Sequence, residues 1–445
     1  MDAREATERR TFLKLAALLT ASCAGPAWSA DRAPGVEADA TPDGSVADAP
    51  DASRVVLGIM GLQRGQTLAE HFARVPGVEV RYVCDVDDRR SQASVASLQT
   101  AHRIEPRPLN DFRRILDDPE VDALVCAAPN HWHGPATILA CQAGKHVYVE
   151  KPCSHNPWEG EMMIEAAARF GRLVQLGTQR RSSPGTRLAM QRIREGAIGR
   201  AYLARAQYSA TRGSIGRGKT STVPDGLQYD LWQGPAPRRD YIDNLVHYNW
   251  HWRWHWGNGE LGNNGIHTLD LCRWGLDVDY PAQVQSSGGR YAFQDDQETP
   301  DTQLVSYLFP GDRMITWQGL SCNGHDKSFV TFHGTQGSLA LDYDGTFKIY
   351  DLNEQLKEHH TQSDDGQTLH VGNFVDAVRS GQRQALNADI VEGHRSTLLC
   401  HLGNIAQRVG RTLGCNPATG RIEDDAEASQ LWRREYDPAW EPKLG

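Results

Sequence analysis

One lysine stands where a strand is predicted to end and where a side chain can act on a bound ligand. The apolar run His146 to Val149 is followed by Glu150-Lys151-Pro152. An ammonium in this position can polarise a carbonyl or help to remove a proton from a hydroxyl. The proline can hold the turn rigid, and a cis bond is one way to do so. A Glu-Lys pair at a strand end is also typical of a surface ion pair, so Lys151 alone does not define a site.

A second group of residues has the pattern of a nucleotide-binding turn. Gly61 and Gly65 lie between the first predicted strand and the first helix, where backbone N–H groups can meet a pyrophosphate. Gln63 and Gln66 occupy the other two glycine places of GxGxxG, so a plain tight turn is an equal alternative. Asp85 ends the second strand, where a carboxylate binds ribose hydroxyls and repels a 2′-phosphate. The alternative for Asp85 is a helix cap. Together these features predict a dinucleotide site that prefers NAD to NADP.

Two histidines follow the strand predicted at 123–127, in the run Asn130-His131-Trp132-His133. Ligands of open α/β sheets bind beyond the carboxyl ends of the strands, which is where this predicted loop lies. Loop histidines or helix caps are the alternative. The His-x-His spacing also suggests a metal, but no third ligand with standard spacing accompanies it, so we predict no metal site.

Four tryptophans alternate with polar residues between His247 and Trp256. Such alternation predicts one face of a strand. Tryptophan faces stack on the apolar faces of sugar rings, so Trp252 and Trp254 are candidate substrate contacts. Weaker candidates are Tyr208, Arg180, Arg181 and Tyr248. The equal alternative for the tryptophans is an aromatic core strand or a subunit interface, and the two arginines are alternatively surface charges.

The elements that position these residues are of two kinds. From residue 54, apolar runs alternate with helical segments, with strands predicted at 55–60, 78–84, 123–127, 146–149 and 173–176, which predicts a doubly wound parallel sheet. After about residue 180, longer alternating strands with few helices predict a mainly antiparallel open sheet. The fold class is therefore α/β, with a Rossmann domain at 53–178, a substrate-binding domain at 179–445 and a cleft between them. A late helix near 389–409 is expected to pack back on the first domain.

Composition limits the classes of function. The chain has 445 residues and a net charge of −9, which gives a nucleic-acid role no electrostatic support. Its 9 cysteines contain no CxxC pair, which argues against a disulfide framework and for buried thiols. After the N-terminus no run approaches the roughly 20 apolar residues of a membrane span.

The N-terminus has the pattern of an export signal. Arg9-Arg10-Thr11-Phe12-Leu13-Lys14 precedes an apolar run, which resembles a twin-arginine signal over 1–29, followed by a disordered linker at 30–52. This predicts a periplasmic or extracytoplasmic protein that is exported folded. A basic, frayed helix is the alternative, and Cys23 leaves a lipid-anchored form open.

Four of these motifs together resemble the Gfo/Idh/MocA family, which includes glucose–fructose oxidoreductase and inositol dehydrogenase. They are Gly61 to Gly65, Asp85, Asn130 to His133 and Glu150-Lys151-Pro152, within a resemblance that spans roughly residues 54 to 440. It implies a Rossmann domain, a C-terminal domain on a large open sheet, bound NAD, a sugar or polyol substrate, and a homo-oligomer. By resemblance, these residues would contact the cofactor: Gly61, Gln63, Arg64, Gly65, Asp85, Asn130, His131, Trp132, His133, Glu150, Lys151 and Gln179.

The resemblance also singles out the segment that contains Asn263, Asn264 and His267. Many family dehydrogenases carry Asp-x-Gly-x-His here, so His267 matches the histidine while Asn263 replaces the aspartate. A neutral amide can orient a hydroxyl but cannot take its proton, which leaves acid–base work to His267 and Lys151. Asn264 and His267 join the candidate substrate contacts. The alternative is a glycine-rich helix entry with a capping asparagine.

Three functions remain open from the sequence. The first is an NAD-dependent oxidoreductase that acts on a sugar or polyol. The second is an NAD-dependent redox glycosidase, because the asparagine variant resembles glycoside hydrolase family 109, whose chemistry needs no pair of catalytic carboxylates. The third is a non-catalytic protein that binds a sugar or dinucleotide.

Overall fold

A computed structural model describes residues 54–325, 329–364 and 366–445. The predicted signal segment, the linker and Cys23 lie outside these residues. Within the described part of the chain, no helix is long and apolar enough to cross a membrane. The eight described cysteines form no disulfide, and seven of them are buried.

The first half of the chain forms a six-stranded parallel sheet with strand order β3-β2-β1-β4-β5-β6. Its strands are continuous apolar runs because helices cover both faces of the sheet. The order reverses between β1 and β4, and this switch point is where open α/β sheets bind their ligands. The elements are β1 (Val55–Met60), α1 (Arg64–Phe72), β2 (Val78–Cys84), α2 (Asp88–His102), β3 (Arg107–Leu109), α3 (Arg113–Asp117), β4 (Ala123–Cys126), α4 (Asn130–Gln142), β5 (His146–Val149), α5 (Pro157–Arg169) and β6 (Val174–Leu176).

The second half forms an eleven-stranded sheet that is antiparallel except where β7 pairs with β10. The strand order is β15-β14-β13-β12-β7-β10-β9-β8-β16-β17, and β11 pairs with β7 outside this path. The elements are α6 (Pro184–Arg194), β7 (Ala201–Thr211), α7 (Tyr229–Gln233), α8 (Ile266–Leu276), β8 (Gln283–Gly289), β9 (Thr302–Phe309), β10 (Arg313–Leu320), β11 (Cys322–Asn323), β12 (Val330–Gly334), β13 (Gly337–Leu341), β14 (Phe347–Asp351), β15 (Leu356–His360), α9 (Gln367–Ser380), α10 (Ile390–Val409), β16 (Leu413–Cys415), β17 (Ile422–Glu423) and α11 (Ala426–Gln430). The predicted fold class is confirmed.

Two late helices tie the halves together. α10 begins after its N-cap Asp389 and contacts α5 and β6, while Leu176 N donates to Ala388 O at 2.9 Å. α9, which the sequence patterns did not reveal, covers the other face of the first sheet, where Phe374 meets Phe72 edge to face. Because the end of the chain packs into the first domain's core, the two sheets are held on either side of one cleft.

The tryptophan-rich segment is not a strand, so that prediction is wrong. It forms turns and a short 3₁₀ helix, Asn249–Trp252, closed by local bonds such as Trp250 N to Leu245 O at 3.1 Å. Trp250 and Trp256 pack with Trp232 in a separate aromatic core cluster. The alternation therefore reflects the way successive turns direct large rings inward, and not a pleated strand.

Candidate active site

A cavity of about 440 Å³ lies at the switch point of the first sheet, between the two halves. One end of it is formed by the turn after β1 and the end of β2. The other end contains Lys151, Asn263 and His267, and residues 231–251 lie over it. The predicted site residues that line this cleft are Gly61, Gln63, Arg64, Asp85, Asn130, Trp132, His133, Glu150, Lys151, Gln179, Tyr248, Asn263 and His267.

The turn after β1 needs glycine for two reasons. Gly61 has φ +85°, and a Cβ there would lie 2.6 Å from the carbonyl oxygen of Ala127. Gln63 precedes α1 without a side-chain capping bond, so no N-cap side chain occupies the first N–H groups of this helix, of which Gly65 N donates to Gly61 O at 3.1 Å. Gln66 bonds Ser94 of α2 at 2.5 Å, which explains why a glutamine is tolerated at the third glycine place. The cradle therefore fits a pyrophosphate, although the glycine pattern is incomplete.

Asp85 lies at the end of β2 and lines the same end of the cleft. Its carboxylate accepts bonds from Leu62 N at 2.8 Å and from Asp87 N at 3.1 Å. Burial raises the pKa of this carboxyl, and the two N–H groups oppose that shift. The N-cap of α2 is Asp87, so the capping alternative for Asp85 does not apply. A carboxylate held in this position is suited to ribose hydroxyls.

The four residues 130–133 form the first turn of α4, so the prediction of a loop is wrong. Asn130, Trp132 and His133 line the cleft, but the side chain of His131 is not among the lining residues. His131 Nε2 lies 2.9 Å from Trp232 O, and Trp132 Nε1 donates to the same carbonyl at 3.0 Å. His131 therefore anchors the part of the chain around Trp232 and is not placed against a cofactor. His133 is likewise fixed, between the carbonyls of Pro152 at 2.6 Å and Ala128 at 2.7 Å.

Lys151 is fixed by the opposite domain. Its Nζ donates to Asn263 O at 2.8 Å and to Asn263 Oδ1 at 3.2 Å, and the Lys151-Pro152 bond is cis. Burial lowers the pKa of Lys151, and Glu150 opposes that shift. Glu150 is itself paired with Arg64 at 2.9 Å, so it is a salt-bridge partner and not a free carboxylate.

His267 stands in the first turn of α8, directly after a π-helical turn over Leu261–Gly265. Its Nδ1 is buried and finds no hydrogen-bond partner among the described residues. Burial, followed by the charge of Lys151, keeps the pKa of His267 well below its usual value. The ring is therefore neutral at neutral pH, and a neutral ring can accept a proton from a hydroxyl.

The structure separates the remaining substrate candidates. Tyr248 lines the cleft, and its hydroxyl accepts from Arg212 Nη1 at 3.0 Å. The guanidinium of Arg212 packs on the ring of Trp252, with Cζ 4.9 Å from the ring centroid. Trp252 does not line the cleft and therefore supports Arg212 without facing a ligand. Asn264 Nδ2 donates to Glu260 and does not line the cleft.

Three further predicted residues lie outside the cleft. Arg181 makes a buried ion pair with Asp270 at 2.8 Å, and Trp254 faces a different cavity beside His155. Gly65 packs inside the turn against Ile59. The patterns that singled out these residues are local, whereas their side-chain directions are set by helix and core contacts that no local pattern records.

Sequence reasoning missed a supporting ion pair. Arg212 Nε bonds Glu260 Oε2 at 2.7 Å, and Glu260 Oε1 also receives the side-chain amide of Asn263 at 3.5 Å. The sequence signal that could have identified Glu260 is its spacing of three and four residues from Asn263 and Asn264, which places these side chains on one face of a helical turn. Among the described residues no cluster of three or more His, Cys, Asp or Glu is placed to hold a metal ion.

Family models match both halves of this architecture. The oxidoreductase-family NAD-binding Rossmann fold matches residues 54–178, and the C-terminal alpha/beta domain of the same Gfo/Idh/MocA family matches residues 213–442. The chain belongs to this family. It is therefore an oxidoreductase-family enzyme with an NAD-binding domain, as predicted from its motifs.

Curated relatives cover the chain only in part. An uncharacterized oxidoreductase YrbE of Bacillus subtilis is 28% identical over 65% of this chain and 74% of its own length. Levoglucosan dehydrogenase of Pseudarthrobacter phenanthrenivorans is 26% identical over 53% of this chain and 59% of its own. A glycosyl hydrolase family 109 protein of Shewanella baltica is 27% identical over 45% of each. The alignments with the last two span about half of each relative's length.

A solved structure supports the fold over a longer stretch. The complex of a levoglucosan dehydrogenase with NADH and levoglucosan superposes with a TM-score of 0.64, over 81% of this chain and 99% of that chain. At 17% identity, this likeness describes the architecture alone.

Proposed function

We propose that this protein is an NAD-dependent oxidoreductase that transfers a hydride between a hydroxyl of a sugar or polyol and the nicotinamide. The observation that carries this proposal is that Lys151 and His267 line the same cleft as Asp85 and the turn at Gly61. The cofactor end fits the dinucleotide, because Gly61 lets the turn after β1 lie directly against the backbone at Ala127, and the same turn holds the carboxylate of Asp85 through Leu62 N. Bound NAD would supply the hydride acceptor.

The side chains at the other end divide the remaining work. We assign to His267 the proton of the substrate hydroxyl, because its ring is neutral and its Nδ1 is free within the described chain. Lys151 would face the oxygen that becomes a carbonyl and stabilise its developing negative charge. Asn263 is a positioning residue, since its two oxygens fix the ammonium. In the oxidation direction, His267 would take the proton that the hydroxyl releases, and bound NAD would accept the hydride from the carbon.

A segment from the second domain favours a cofactor that is held tightly. This cover segment, residues 226–256, joins the end of β2 through Gln228 N to Val86 O at 2.8 Å and through His247 Nε2 to Asp87 Oδ2 at 3.0 Å. These contacts lie beside Asp85, the carboxylate that we assign to the ribose hydroxyls. Retention of NAD between turnovers would suit export, which we propose from the twin-arginine pattern at Arg9-Arg10. Replacing both arginines by lysine should keep the protein out of the periplasmic fraction.

A redox glycosidase is the second candidate. It is favoured by Asn263 at the family's aspartate place and by the lack of a free carboxylate pair near Lys151 in the described cleft, where Glu150 is paired with Arg64. In that reaction the sugar hydroxyl is oxidised, the glycosidic group is eliminated, water adds and the hydride returns. Both candidates use the same proton-handling residues.

The two are separated by incubating the purified protein with free sugars and with aryl glycosides. Net NADH from free sugars supports the dehydrogenase. Release of the aryl group without net NADH supports the glycosidase. If the protein neither binds a dinucleotide nor turns over any of these compounds, the non-catalytic binding protein is the remaining function.

We also propose a homo-oligomer, formed through the outer face of the large sheet. Leu304 and Leu308 of β9 are 53% and 41% exposed on that face. Light scattering of the purified protein tests this, and a monomeric mass would contradict it.

A further inference from the structure

Two consecutive arginines are buried in the short 3₁₀ helix Gln179–Ser182, and within the described part of the chain only Arg181 pairs with a carboxylate. Arg181 reaches Asp270 with Nε at 2.8 Å and Nη2 at 2.8 Å. Arg180 is only 2% exposed, yet its Nε, Nη1 and Nη2 bond no atom of residues 54–325, 329–364 and 366–445. A buried guanidinium without partners is strongly unfavourable, so such a group is expected to be retained for a ligand.

Arg180 does not itself line the cleft described above, but it contacts one lining residue and directly follows another in the chain. The neighbouring Gln179 lines the cleft and has a buried Oε1 that is also without a partner in the described chain. The flat face of Arg180 packs on the ring of Tyr343, with Cζ 3.6 Å from the centroid, and Tyr343 lines the cleft as well. The charge of Arg180 helps to lower the pKa of His267. The unpaired guanidinium is therefore close to the proposed proton acceptor.

The charges around this end of the cleft do not balance. Glu150 forms an ion pair with Arg64, and Glu260 forms an ion pair with Arg212. The partners of the Lys151 ammonium are the two neutral oxygens of Asn263. Both carboxylates are thus paired, and the groups named here, all within the described residues, leave a surplus of positive charge that an anionic ligand would neutralise.

We propose that the substrate is an acidic sugar whose carboxylate pairs with Arg180. A single guanidinium fork matches one planar carboxylate in a bidentate pair. Tyr343 covers the guanidinium from the cleft side. It is 57% exposed in the turn between β13 and β14, so its ring can move aside as the carboxylate enters. This proposal rests on the proposed function, because it names the substrate class of the same cleft.

The test compares Arg180→Met with Arg181→Met in the NAD-loaded protein. Ligands are hexuronates, the parent hexoses and the corresponding hexose phosphates, and the readouts are thermal stabilisation and titrated affinity. Wild type should bind a hexuronate more tightly than its parent hexose. Arg180→Met should weaken hexuronate binding about tenfold to hundredfold, the range for a charged hydrogen bond, and remove most of this preference. Arg181→Met should keep the preference.

The melting temperature gives a second readout. If Arg180 had only a structural role, its replacement would lower Tm, which is the opposite of the result expected here. Arg180→Met removes a charge without a partner, so its Tm should equal or exceed that of wild type. Arg181→Met strands the buried carboxylate of Asp270 and should lower Tm strongly. Arg180→Gln serves as a second variant if the methionine packs poorly.

Two results would overturn the proposal: equal affinities of wild type for hexuronates and hexoses, or a preference that survives Arg180→Met. Binding of hexose phosphates that depends on Arg180 while hexuronates do not bind would replace the carboxylate by a phosphate. These binding readouts are independent of turnover. If NADH forms from neutral sugars but Arg180 has no effect, the proposed function stands and this inference fails.

Discussion

Removal of the Lys151 ammonium tests the chemistry directly. In Lys151→Met, the substrate oxygen loses the charge that faces it, while the apolar length of the side chain is retained. Loss of a group that stabilises the charge developing on the reacting oxygen typically lowers the rate by about 10²- to 10³-fold, which is about 3–4 kcal/mol of activation free energy. The same change leaves the Asn263 carbonyl without the donor that now lies at 2.8 Å, with a penalty of about 1–3 kcal/mol in stability.

Lys145 offers a matched control outside the cleft. It is buried, and its Nζ donates to Asp118 O at 2.7 Å and to Val121 O at 2.9 Å. Lys145→Met therefore strands carbonyls in the same way and should lose comparable stability, but it touches no part of the proposed site. We expect a normal kcat for Lys145→Met and a collapsed kcat for Lys151→Met at similar Tm.

The assay measures NADH formation in a single turnover, detected by the near-ultraviolet absorbance of NADH. NAD affinity is measured separately by protein fluorescence. Lys151→Met should bind NAD and fold normally while the chemical step slows. A rate within about threefold of wild type, far short of the loss expected for a charge-stabilising group, would remove Lys151 from the mechanism. A parallel loss in both lysine variants would show that the effect is structural.

Three further predictions concern the cofactor end and acid stability. Asp85→Asn should weaken NAD binding and reduce discrimination against NADP, measured by titration of both; an unchanged ratio would contradict the ribose role. Gly61→Ala should abolish NAD binding, because its Cβ would lie 2.6 Å from backbone atoms, and normal affinity would refute the cradle. Burial lowers the pKa of His370 and His394 to about 4 and that of His401 to about 3. Between these values and the usual 6.5 the unfolded chain binds more protons, so stability should fall as pH drops through this window, by up to about 1.4 kcal/mol per pH unit for each ring. A Tm that stays constant from neutral pH to about pH 4 would contradict this account.

The features predicted correctly are those that depend on strand ends. Asp85 and Lys151 each follow a continuous apolar strand, and parallel strands of one sheet bring their carboxyl ends to the same edge. Knowledge of the local chain was therefore enough to place both residues in one cleft. His267 required the family resemblance, because its helix belongs to the second domain.

The features that sequence patterns missed depend on contacts between distant segments. The tryptophan alternation near Trp252 mimicked a strand, although turns and a remote aromatic cluster decide where these rings lie. His131 looked like a cofactor ligand, but the carbonyl of Trp232, which lies far along the chain, captures its ring. Arg180 and Arg181 cannot be distinguished from their types, since the carboxylate that satisfies only one of them comes from α8.

The most direct test of the central claim is the transfer of hydride itself. The protein, purified under mild conditions, is examined by mass spectrometry for bound dinucleotide and then mixed with NAD and a panel of sugars, sugar acids and polyols, labelled with deuterium at the carbinol carbons. The account predicts that the protein binds NAD, whether retained through purification or added, and that deuterium is transferred from the sugar or polyol to the nicotinamide. Absence of dinucleotide binding, together with no labelled nicotinamide from any member of the panel, would contradict it.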